Sequence, residues 1–112
     1  LDFKKMVNKG VERTIEQGKP CLEKNGRCSY GIGYIRCPIG HMMTDEDHLK
    51  YKDSDQPVGD LIADGWMPGI SGYQKNILLS VQGAHDLSCD NNDFVNEFKS
   101  RISDLKLDEL KG

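Results

Sequence analysis

The stretch from Ser71 to Cys89, SGYQKNILLSVQGAHDLSC, constrains this chain more than any other. At helical pitch Tyr73, Ile77, Val81 and Ala84 fall on one stripe, with Leu78 at its edge. Such a helix must bury one side against other elements. Ser71 is a good N-cap, and the Cys89-Asp90-Asn91-Asn92 run is a stop. His85 lies inside the apolar arc, between the directions of Val81 and Leu78, while Asp86 points about 100° further round. A histidine on a core-facing stripe usually hydrogen-bonds a buried partner and holds packing together. His85 and Asp86 are therefore read as structural polar residues.

Two further helices follow from the same periodicity. Phe3, Met6, Val7, Val11 and Ile15 share one face of a helix over 2–17, capped by Asp2 and stopped by Gly18 and Pro20. Gly10 sits within that face, where it admits close approach by a neighbour. Phe94, Phe98, Ile102 and Leu105, with Val95 beside them, form the stripe of a helix over 92–107, capped by Asn91 or Asn92. Between these, Cys28–Tyr30 and Tyr34–Cys37 read as strands of a hairpin over 28–37, turned by Gly31-Ile32-Gly33 and ended by Pro38-Ile39-Gly40. Short helices are expected at 44–51, capped by Thr44 and Asp47, and at 58–64. The fold class is mainly α (α+β): a small helical domain over 1–112, with three longer helices, short helices and one β-hairpin inserted after the first helix.

A net charge of −3, with no lysine or arginine cluster, argues against general nucleic-acid binding. Apolar runs such as Ile77-Leu78-Leu79 are far too short to span a bilayer, so no membrane association is expected. Lys4 and Lys5 are not followed by the apolar run of a secretory signal. Cys21, Cys28, Cys37 and Cys89 lie in a chain long and helical enough to fold without staples, and are read as reduced cytoplasmic thiols.

Five constellations could carry chemistry. Cys21, Cys28, Cys37 and His41 offer zinc ligand types, but no close Cys-x-x-Cys pair anchors them, and small buried hydrophobes explain the cysteines better. His41 with His85-Asp86, and Asp90 or Asp104, could hold a divalent ion that activates water, as in a metal-dependent phosphohydrolase. Asp45, Glu46 and Asp47, beside His48, diverge by about 100° each on a helix and fit the positive end of a helix dipole better than an ion. Gly31, Gly33 and Gly40 lack the Gly-Lys-Ser/Thr ending of a phosphate loop, so a turn is the better reading. Tyr30, Tyr34, Arg36, His41 and the single tryptophan, Trp66, are residue types that anchor interfaces, and they form the candidate binding surface. No metal or cofactor is assigned.

Residues 28–46, CSYGIGYIRCPIGHMMTDE, and 78–86, LLSVQGAHD, followed by Phe94, Phe98 and Arg101, resemble a group of small uncharacterised bacterial and bacteriophage proteins. The shared pattern is Cys-x-Tyr, a glycine-containing turn, Arg/Lys-Cys-x-x-Gly, an acidic pair and a Leu-Gln-x-Ala-His-Asp helix. Cys28, Tyr30, Arg36, Cys37, Gly40, Asp45 and Glu46 match the first part, and Gln82, Ala84, His85 and Asp86 the second; Val81 and Gly83 depart from it. The resemblance implies a bacterial or phage cytoplasmic setting and transfers no catalytic residues. The expected function is a non-catalytic phage or prophage accessory protein that binds a host protein, or a small nucleotide, for host takeover or counter-defence. The alternative is the metal-dependent phosphohydrolase using His41, His85 and Asp86.

Overall fold

The computed structural model describes residues 2–21, 30, 35–51 and 57–109. Six α-helices lie among them: α1 (Phe3–Gln17), α2 (Pro38–Met42), α3 (Asp45–Tyr51), α4 (Val58–Ala63), α5 (Gly72–Ser88) and α6 (Phe94–Asp104), followed by a 3₁₀ turn at Leu107–Glu109. The chain is mainly helical. Most of the hairpin expected over 28–37, Tyr34 included, lies outside the described residues; of its span Tyr30, Ile35, Arg36 and Cys37 are described. No helix among the described residues is long and apolar enough to cross a membrane.

Side-chain caps set the helix starts. Asp2 accepts from the Lys5 backbone N–H at 3.2 Å, Thr44 from Asp47 at 3.1 Å, and Ser71 from Gln74 at 3.1 Å. Gln74 Oε1 in turn accepts from the Ser71 backbone N–H, completing a reciprocal capping pair. α6 starts later than the sequence suggests, because its cap is Asp93 instead of Asn91 or Asn92; Asn91 instead accepts from the Asp93 backbone N–H. At the end of α1, Gly18 takes φ 77° and donates its N–H to the Thr14 and Ile15 carbonyls.

Pro38-Ile39-Gly40 begins a helix and does not merely end a strand. Proline at the first helical position loses an N–H that would have had no partner, and the Cys37 sulfur accepts from the Gly40 N–H at 3.4 Å. All five residues of α2 are buried. Its close seat on α1 depends on Gly10, where an added Cβ would lie 2.6 Å from Met42 Cγ and 2.7 Å from the Pro38 carbonyl. Gly40 is as tightly placed on the other side, where a Cβ would collide with the Tyr30 carbonyl oxygen.

α5 packs on α1, α2, α4 and α6, so it is the central helix. Its buried stripe is Leu78, Val81, Ala84, His85 and Ser88. Tyr73, which the apolar pattern places on that stripe, is 54% exposed. His85 is buried, as its place in the apolar arc leads one to expect, and the buried face is rotated towards Leu78 and Ser88, a serine that carries no hydropathy signal. Ser88 Oγ donates to the Ala84 carbonyl at 2.7 Å, which satisfies its burial. Phe98 and Phe94 of α6 stack on each other at 5.6 Å and close the core over the His85 ring.

Candidate functional site

His85 is completely buried, with its ring edge-on to Phe94 and Phe98. The Cys21 backbone N–H donates to Nε2 at 3.2 Å, which makes Nε2 the unprotonated nitrogen. Nδ1 therefore carries the proton and donates to Asp86 Oδ1 at 3.0 Å. Cys89 lies one turn on, with its sulfur 3.8 Å from Nδ1 and its S–H donating to the His85 carbonyl at 3.2 Å. Burial first, then the carboxylates of Asp86 and Asp90, push the Cys89 thiol up to about 12, so it stays protonated at neutral pH.

Ligand atoms of His85, Asp86 and Cys89 come within 4.8 Å of one another, the one such group of three among the described residues. The proton positions do not suit an ion there. A metal-bound imidazole carries its proton on the outer nitrogen and donates it to an acceptor. Here the outer nitrogen faces a donor, the Cys21 N–H. The arrangement fits a clamp that ties the segment after α1 to α5. His41 does not join this group, nor do Cys21, Cys37 and His41 converge on a zinc geometry among the described residues; Cys28 lies outside them.

His41 sits instead on α2 against the end of α1. Gln17 Oε1 accepts from the Arg36 backbone N–H at 2.9 Å and from His41 Nε2–H at 2.7 Å, while Gln17 Nε2 donates to the Lys19 carbonyl at 2.7 Å. The Arg36 donor fixes the orientation of the amide, and the amide fixes the His41 tautomer. Arg13, Glu16, Gln17, Ile35, Arg36, His41 and Asp45 line a groove of about 470 Å³. Arg36 reaches the exposed Asp45 carboxylate at 3.9 Å. His41 is pushed down to about 4, first by burial, then by the charges of Arg36, Arg13, His48 and Lys9. Its ring is neutral at physiological pH.

A second groove, of about 280 Å³, opens beside it along α1. Trp66, Met6, Met42 and Met67 give it an apolar floor, and Asp2, Lys5, Lys9, Thr44 and Asp47 give it a charged and polar rim. Trp66 is 3% exposed, so only its edge is offered there. Tyr30 is buried in the core, which corrects its placement on an exposed hairpin face; its carbonyl receives the His48 Nε2–H at 3.1 Å. Of the five residues assigned to a binding surface, Arg36 and His41 share one groove and Trp66 lines the other. Tyr30 supports them from below, and Tyr34 lies outside the described residues.

Sequence reasoning missed Lys9, Arg13 and Gln17. Their spacing of four along α1 was the available signal: it places them on one side, next to the stripe that packs on α2. Compared with known proteins, the chain matches no family model, no curated protein and no solved structure.

Proposed function

We propose that this chain is a non-catalytic binding protein that occupies a host protein through the α1–α2 face. The observation that carries the reading is the pair of neighbouring grooves along α1, one polar with Arg36 and His41, the other floored by Trp66 and methionines. Methionine adapts its shape to a partner surface, and arginine and tryptophan anchor interfaces. The phage or prophage setting, with host takeover or counter-defence as its purpose, rests on the resemblance at residues 28–46 and 78–86. The test is capture from bacterial lysate with three baits: the native chain, the Lys9→Glu/Arg13→Glu variant, and Lys99→Glu on α6. A stoichiometric partner held by the first and third baits and lost by the second supports the reading. No partner, or a partner indifferent to the α1 substitutions, refutes it.

The rival reading, a metal-dependent phosphohydrolase using His41, His85 and Asp86, has one observation in its favour: the close approach of His85, Asp86 and Cys89. Elemental analysis separates the two. One metal per chain, lost together with activity in His85→Ala, establishes the enzyme.

A further inference from the structure

The outer face of α5 is apolar where a solvated helix would be polar. With about 100° per residue, the buried side at Leu78, Val81, Ala84, His85 and Ser88 turns Tyr73, Asn76, Leu79, Ser80, Gly83 and Leu87 outward. Tyr73 is 54% exposed, Leu79 40% and Leu87 68%. Among the described residues Leu49 is the one other large hydrophobic so exposed, so this is a patch and not a scatter. Between these side chains a Cβ on Gly83 would meet nothing within 4 Å, which lets a second backbone come close. Beside Leu87 a groove of about 370 Å³ runs between α5 and α6, with Arg101, Asp104 and Leu105 on its α6 side.

The order of residues along this face identifies what covers it. Tyr73 and Leu87 stand seven residues either side of Ser80. Lys75 and Asp86 are spaced evenly about nearly the same point, on the flank of the face opposite Tyr73. A second copy turned end for end about an axis at Ser80 therefore sets Tyr73 of each chain on Leu87 of the other, and Lys75 of each on Asp86 of the other. A two-fold interface requires this self-complementarity, with every contact repeated in exchanged roles. A parallel pairing would instead oppose lysine to lysine and aspartate to aspartate. Asp86 Oδ1 is held by Gln82 Nε2 at 3.2 Å and His85 Nδ1 at 3.0 Å, so its half-exposed carboxylate is fixed in place. Lys75 forms no ion pair among the described residues.

We propose that this chain forms a weak two-fold dimer by antiparallel pairing of α5 with α5 of a second copy, each Tyr73 ring seated beside Leu87 in the other chain's α5–α6 groove. Leu105 packs against the ring there, and the exposed Asp104 carboxylate accepts from its hydroxyl. A helix of 17 residues is about 25 Å long, so the pair buries less than the roughly 1,200 Å² of a stable interface and dissociates above about 1 μM. None of the paired residues lines either groove along α1, so the dimer and the host-protein reading can each fail without the other.

The experiment is analytical ultracentrifugation of the intact chain from about 10 μM to about 1 mM, a range that brackets a transient dimer. A reversible monomer–dimer equilibrium is expected, with concentration-dependent NMR shifts confined to the outer face of α5 and the end of α6. Tyr73→Ser and Leu87→Ser, at exposed positions that leave folding intact, should each raise the dissociation constant about tenfold or more, since each contact occurs twice in the dimer. Leu49→Ser, as exposed but on α3, should leave it unchanged. Lys75→Glu and Asp86→Lys should each weaken the dimer alone and restore it when the two variants are mixed, because antiparallel pairing then joins opposite charges at both sites. Circular dichroism reports whether Asp86→Lys folds; if it does not, the Tyr73, Leu87 and Lys75 variants carry the test. A chain that stays monomeric at about 1 mM overturns the proposal, as does an equal response to Leu49→Ser and Leu87→Ser. Two folded charge variants that fail to recover on mixing overturn the antiparallel arrangement.

Discussion

Acidification should destabilise this protein through His41, by an amount that can be isolated. The ring ordinarily titrates at 6.5 and is pushed down to about 4 in the folded chain. Between those values the unfolded chain binds the proton and the folded chain does not. Stability therefore rises with pH across this window, and is lost as pH falls from about 6.5 towards 4. At about 1.4 kcal/mol per pH unit, the full difference approaches about 3 kcal/mol. The ring lines an open groove, where solvent access screens the arginine contribution, so about 1–2 kcal/mol is the expected loss. Other groups titrate in the same range, so the comparison is with His41→Gln, whose amide can still donate to Gln17 Oε1. Urea unfolding of both proteins at about pH 7 and about pH 4.5 gives the difference in slope. The native chain should lose about 1–2 kcal/mol more than the variant on going to the lower pH. Parallel losses, or an NMR titration of the His41 ring near its ordinary value, would refute the account. Arg13→Gln should move the titration part of the way back up, since Arg13 is one of the charges holding it down.

Glycine substitutions on two helices should act in opposite directions. Gly10→Ala forces a methyl to within 2.7 Å of the Pro38 carbonyl and should destabilise by about 1–3 kcal/mol, read by thermal or urea unfolding. Gly83→Ala on α5 meets nothing within 4 Å and should stabilise by about 0.5–1 kcal/mol; the same sign for both would contradict the packing of α2 on α1. His85→Ala should lose about 2–4 kcal/mol, since it opens a cavity beneath Phe94 and Phe98 and removes the acceptor of the Cys21 N–H. Asp86→Ala should lose less, about 1–2 kcal/mol, because it removes the carboxylate that accepts the buried Nδ1–H but opens no cavity, Asp86 itself being half exposed. In the metal reading both substitutions would instead abolish binding alike, which calorimetric titration with zinc would reveal. Cys89 should react with iodoacetamide roughly 30-fold more slowly than an ordinary thiol, because a thiol pushed from 9.0 to about 12 has far less thiolate, an effect partly offset by that thiolate's greater nucleophilicity; mass spectrometry of the native chain at mildly alkaline pH measures this, and rapid labelling would contradict its protonated state.

The long helices were legible because their apolar residues repeat over several turns: Phe3, Met6, Val7 and Val11 in α1, and Phe94 and Phe98 in α6, are buried where the pattern puts them. α2 was not legible, for a definite reason. Five residues make less than two turns, too few for a period, and Pro38 and Gly40 read locally as a strand end. What makes them helical is tertiary: the Cys37 sulfur caps the turn, and Gly10 and Gly40 clear space for it between α1 and Tyr30. On α5 the periodicity places Val81, Ala84 and His85 correctly but not Tyr73, which is exposed, or Ser88, whose burial is made acceptable by a carbonyl that periodicity cannot see.

The groove was invisible for the same reason, and Gln17 shows how. Nothing in its hydropathy or its neighbours marks it. Yet one amide oxygen receives the Arg36 backbone and the His41 ring, joining the end of α1 to residues 19 and 24 positions further along. Each of those donors would otherwise need another partner on burial, and each unmet buried donor is worth about 1–3 kcal/mol against folding. The contact that closes the chain between α1 and α2 is thus the same contact that sets Arg36 beside His41. Folding energy and site geometry are drawn from one side chain.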